Sequence, residues 1–175
     1  MSEADTAWSR LASRVTRVVL TRKDFTYASL VQALSAHGVH DHERAIVARI
    51  SRGTLKLSFF LQIVAITGVR PPERWIEALG AAGDSWEARA RAVCKTELAR
   101  QPSELSNDLA ARLARIGTAI SAKSLDMQLE SGSISLSLFL QLLYLLNADS
   151  LERYIDHDDL VEAARATSAA LGQAQ

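Results

Sequence analysis

Two stretches of this chain are nearly the same. GTLKLSFFLQ begins at Gly53, GSISLSLFLQ begins at Gly132, and six of the ten positions agree. The shared letters are an edge glycine (Gly53/Gly132), the apolar Leu57/Leu136, Phe60/Phe139 and Leu61/Leu140, and two polar residues inside an apolar run, Ser58/Ser137 and Gln62/Gln141. The same offset of 79 pairs ERWI at Glu73 with ERYI at Glu152, and Leu30, Leu34 and Gly38 with Leu109, Leu113 and Gly117. Further back the offset is 78: Trp8, Ala12, Val15, Arg17, Leu20 and Arg22 match Trp86, Ala90, Val93, Lys95, Leu98 and Arg100. The chain is therefore a doubled unit, 8–79 and 86–156, joined by GAAGDS and followed by a tail over 157–175. Two copies fall short of the three or more that a stacked solenoid needs. The expectation is two small homologous bundles in tandem.

Each unit reads as a row of helices. Ala, Leu and Arg dominate, proline is sparse, and strand-like alternation is absent. Helix one covers 7–21, with Leu11, Val15, Val18 and Val19 on one face. Thr26 suits the N-cap of helix two, Gly38 its left-handed stop, and Asp41 the cap of helix three. Helix three turns Ile46, Val47 and Ile50 inward and stops at Gly53. Helix four, 57–67, is apolar nearly all round and so belongs at the centre. Pro71 and Pro72 precede a fifth helix that starts at ERWIEAL. The fold class is all-α: two helix-turn-helix-like bundles of about five helices each plus a C-terminal helix. On that helix Leu160, Ala163, Ala164, Thr167 and Leu171 share a side suited to packing on another helix. Phe60, Phe139, Gln62 and Gln141 read as packing residues, the glutamines bonding a helix end or loop.

Charge separates the copies. The whole chain is neutral, with 20 Lys/Arg and 20 Asp/Glu. Residues 8–80 hold eleven bases against five acids, whereas 85–175 hold nine against twelve. A single cysteine, Cys94, excludes an internal disulfide and a multi-cysteine zinc cluster. No apolar run approaches the roughly 18 residues of a membrane span. MSEADTAWSR has neither a basic n-region nor an apolar h-region, so the expected location is cytoplasmic.

The order helix two, turn, helix three, glycine, apolar helix is carried by FTYASLVQAL and VARISRGTLKLSFFLQIVAITGV. It resembles the lambda-repressor-like helix-turn-helix family, with Thr26-Tyr27, Arg52-Gly53 and Gly68-Val69 in that pattern's places. The chain also resembles a bacterial family of single domains of unknown function that share W, TY..L...L...G, I.RG and F.LQ in this order. The second resemblance covers nearly all of copy one and copy two more loosely, and it implies no activity. The first implies DNA binding. SAHG, between Leu34 and Val39, makes the turn longer than the standard motif. In copy two Ser131, Gln128 and Ser106 replace Arg52, Arg49 and Tyr27, and helix three shows Asp126 and Glu130, which phosphates repel.

The leading expectation is a sequence-specific DNA-binding protein, a transcriptional regulator that reads double-stranded DNA through helix three of copy one. Its outward set is His42, Glu43, Arg44 and Arg49, with Arg44 and Arg49 suited to bidentate contact with guanine and Glu43 to a cytosine amine. Arg52, Lys56, Arg22 and Lys23 suit phosphates, as do the backbone amides at Thr26 and Tyr27. Copy two and the C-terminal helix then serve a homodimer or a protein partner. The alternative is a non-enzymatic interaction adaptor without DNA binding. AHGVHDHE gathers three of the four histidines beside Asp41 and Glu43 and reads as an exposed polar turn rather than a metal site. No nucleophile–base pair or phosphate-binding loop points to an enzyme or a cofactor.

Overall fold

The computed structural model describes residues 6–81, 83, 85–99 and 108–173. Among them it has ten helices and no strand: α1 (Ala7–Thr21), α2 (Tyr27–Ala36), α3 (Glu43–Arg52), α4 (Leu57–Ile66), α5 (Glu73–Ala81), α6 (Trp86–Leu98), α7 (Leu109–Arg115), α8 (Ala122–Ser131), α9 (Leu136–Leu145) and α10 (His157–Gln173). No described helix is long and apolar enough to cross a membrane.

Local chemistry sets most of the boundaries. Thr6 and Ser9 form a reciprocal capping box on α1. The hydroxyls of Thr26, Ser85, Ser121 and Ser135 accept amide bonds at the starts of α2, α6, α8 and α9. Asp41, expected to cap α3, does not. His42 occupies the cap without a side-chain bond, and Asp41 pairs with Arg49 instead. The carboxylate gains more from a guanidinium than from one exposed amide.

The two repeats share one hydrophobic core rather than standing side by side with a core each. The first helix of each repeat packs on the central helix of the other: α1 on α9, and α6 on α4. Trp8, Val15, Val93, Phe60 and Phe139 are all buried in this shared core. Trp75 meets Phe139 edge-on across the repeats at 5.8 Å. Between the central helices, the Leu57 amide donates to the Ile134 carbonyl and the Leu136 amide to the Leu55 carbonyl, both at 2.9 Å. These pairs exchange roles at the offset of 79, and they flank an antiparallel bridge between Lys56 and Ser135. Reciprocity of this kind marks a two-fold relation, here between two halves of one chain.

The edge glycines explain themselves at this point. A Cβ on Gly53 would lie 1.8 Å from the Ser9 carbonyl oxygen, and one on Gly132 would lie 2.0 Å from that of Glu87. Each first helix thus runs against the end of its own third helix, where only hydrogen fits. Both glycines also stop a helix in the left-handed conformation, at φ 64 and 69.

ERYI in the second repeat forms turns rather than a helix, and α10 begins five residues later at His157. The face of α10 expected to await another subunit is already used: Leu160, Ala163, Ala164 and Thr167 are buried against α1 and α9. The side chain of Leu171, along with Arg100 and Ser106, lies outside the described residues.

Candidate nucleic-acid interface

Helix α3 is held by Ile46 and Ile50, both fully buried, and by α1 and α2 behind them. The side facing solvent follows from that. Arg44, Ser51 and Arg52 are exposed and Ala48 is half-buried, all on one face. Eight residues separate the two arginines, about 12 Å at the helical rise. Only the small Ala48 and Ser51 stand between them on that face, so the helix axis can approach a flat or grooved surface closely. Neither arginine has an acidic partner among the described residues.

Arg49 behaves differently. Its guanidinium is ion-paired with Asp41 and lies 4.8 Å from the centre of the Phe59 ring. It is engaged on an edge and on a face, so it is not the projecting guanine reader that its sequence position suggests. Arg49 and Lys56 line a cavity of about 490 Å³ with His37, Asp41, Phe59 and Gln62. Lys56 is exposed at the N-terminus of α4.

The remaining candidates scatter. His42 and Glu43 are exposed at the start of α3, where a carboxylate suits the positive end of the helix. Thr26 spends its hydroxyl on the Ser29 amide at 3.1 Å, and Tyr27 is packed against the core. Lys23 is exposed in the turn after α1. Arg22 donates to the carbonyl of Arg153 and covers the Tyr154 ring at 5.0 Å, which ties it to the second repeat. Among the described residues no group of three or more His, Cys, Asp or Glu converges on a point. His37 is bonded to the Ala33 carbonyl at 2.9 Å.

Helix α8 holds the equivalent place in the second repeat with a different surface. Lys123, Met127, Glu130 and Ser131 replace Arg44, Ala48, Ser51 and Arg52. Glu130 pairs with Lys95 at 3.4 Å, and Met127 is 56% exposed. The cationic face exists once, not twice.

A buried polar cluster joins the repeats beneath these surfaces. Glu97 on α6 accepts from the Trp75 indole at 2.6 Å and from the Ser150 hydroxyl. Arg74 stands 3.9 Å from Glu97 and 2.9 Å from Asp149. Sequence reasoning left this cluster out because its twin position is Val19 and nothing in the repeat singles it out. The Ser58/Gln62 and Ser137/Gln141 pairs did carry a signal. Four residues apart, they mark one polar stripe on an otherwise apolar helix.

The class defined by this fold is a pair of like helical units fused in one chain, each lending its first helix to the other. The chain belongs to the family described as Domain of unknown function (DUF6471), whose profile matches residues 8–72 and again 86–151. The matched segments hold α1–α4 and α6–α9, so α5 and α10 lie beyond them. No curated protein and no solved structure matches the chain.

Proposed function

We propose that this chain is a sequence-specific DNA-binding protein, a transcriptional regulator, that sets α3 into the major groove of double-stranded DNA. The observation that carries this reading is the outward face of α3, with Arg44 and Arg52 exposed two turns apart and small residues between them. Arg44 and Arg52 read base edges, and Lys56 and Lys23 hold phosphates. The α2–α3 pair supports a helix-turn-helix-like docking, with a connection of six residues between the helices. The second repeat stands where a second subunit stands in a two-fold assembly, but on α8 Ser131 replaces Arg52 and Asp126 repels a phosphate backbone. The site read is therefore a single, non-palindromic half-site.

Fluorescence anisotropy with duplexes selected from a random pool tests this. Arg44→Ala and Arg52→Ala each cost about 1–3 kcal/mol of binding and relax preference at one position. Lys56→Ala weakens all sequences alike and lowers the salt slope by about 1. If no duplex from the pool binds in a salt-dependent way, the reading is lost and the adaptor alternative takes its place.

A further inference from the structure

The two repeats carry twin cavities of opposite character. The one in the first repeat contains the Asp41–Arg49 ion pair. Its counterpart in the second repeat is larger, about 720 Å³. Position for position, Ile120 replaces Asp41, Gln128 replaces Arg49 and Leu138 replaces Phe59, while Ser137 and Gln141 keep the places of Ser58 and Gln62. Trp8 comes from the other repeat, as Trp86 does in the smaller cavity. No charged side chain lines the larger cavity among the described residues.

Three observations separate this cavity from a packing gap. Its volume lies in the range of small-molecule sites, about 300–1,000 Å³. Its walls are fixed: the Trp8 indole donates to Thr167 at 3.2 Å, and a Cβ on Gly117 would meet the Thr167 Cβ at 2.9 Å, so α10 is seated tightly on the turn after α7. The matching Gly38 has nothing within 4 Å, so the smaller cavity lacks this wall. Lastly, Gln141 lines the cavity at 4% exposure with its Oε1 lacking any hydrogen-bond partner, while its Nε2 makes only a long contact of 3.4 Å to the Ser137 carbonyl. A buried amide oxygen without a donor is costly to keep, and a ligand donor removes that cost.

We propose that the cavity of the second repeat binds an uncharged, largely apolar small molecule carrying a hydrogen-bond donor. Its body lies against Trp8, Ile120 and Leu138, and its donor meets Gln141. A charged ligand loses part of its hydration there and finds no counter-charge. This site does not depend on nucleic-acid binding by the first repeat.

The test uses the full chain and N-phenyl-1-naphthylamine, a neutral aromatic amine with one N–H, followed by its own emission and by energy transfer from tryptophan. Saturable binding at one site per chain is expected. Ala119→Trp and Ala170→Trp, at exposed lining positions, fill the space and each weaken binding roughly tenfold or more, with the melting temperature checked to show that the fold persists. Gln141→Leu keeps the volume, drops the acceptor and weakens binding several-fold. The sulfonated analogue 1-anilinonaphthalene-8-sulfonate binds roughly tenfold more weakly. Absence of saturable binding, equal binding by both tryptophan variants, or equal binding of the sulfonate overturns the site, and an unchanged Gln141→Leu overturns the role of the donor.

Discussion

Helices α3 and α8 occupy matching places, yet only their inner sides agree. Ile46 and Ile50 correspond to Leu125 and Leu129, and Gly53 to Gly132, whereas Arg44, Ser51 and Arg52 face Lys123, Glu130 and Ser131. The cavities behind them diverge in the same way, one holding an ion pair and the other none. On the inner sides of α3 and α8 shape is constrained by the packing around it, and the two copies stay alike. On the solvent side of these helices no such constraint acts, and the copies take on separate chemistry; in the cavities Ser58/Ser137 and Gln62/Gln141 stay the same while Asp41/Ile120 and Arg49/Gln128 diverge.

Substitutions can break this comparison at graded cost. The largest effect is expected at Gly53→Ala and Gly132→Ala, where a methyl group meets helix backbone in a left-handed turn. Each loses about 4 kcal/mol in urea unfolding, and the two agree to within about 1 kcal/mol, because the clash is repeated. A much smaller loss at one of them means that the first helices are not held equally. Glu97→Ala comes next, at about 3 kcal/mol, since it strands the Trp75 indole in the core, and Glu97→Gln loses less. Its twin position, Val19, carries no polar partner, so this sensitivity belongs to one repeat only. Gly38→Ala costs about 1 kcal/mol, from backbone conformation alone. Gly117→Ala exceeds it, because Thr167 must move.

A last contrast between the copies is read by pH. Burial pushes the Cys94 thiol from 9.0 up to about 12, with the Glu97 charge adding to it. Its folded value lies above its unfolded one, so the contribution is complete below pH 9.0 and is lost as pH climbs toward about 12. Melting temperature should therefore fall in that window, and Cys94→Ser should lessen the fall. Thr16 at the twin position does not titrate there. Iodoacetamide at pH 8 should alkylate Cys94 far more slowly in the folded chain than in urea, which a mass shift reads directly.

Much of the fold was legible in the residues. Helix one was expected over 7–21 and is Ala7–Thr21, and the stops at Gly38 and Gly53 both have positive φ. These are local effects, decided by caps, glycines and period. What an apolar face packs against is not local. Leu11, Val15 and Val19 announce a buried stripe, but nothing in their spacing says that α9 rather than α4 covers it. The same holds for α10, whose stripe from Leu160 to Thr167 is satisfied inside the chain. At the candidate interface, Arg44 and Arg52 stand where helical period puts them. Arg49 does not, because Asp41 eight residues earlier captures its guanidinium, a pairing across a turn that periodicity does not encode.

The antiparallel bridge at Lys56 and Ser135 has one more consequence. In an assembly of two identical chains, whatever residue sits on the rotation axis must face itself, so lysine there would oppose lysine and a beneficial change would have to be tolerated in duplicate. Covalent fusion removes that obligation. A cation can sit opposite a hydroxyl, and either half can be altered while the other keeps the geometry they share.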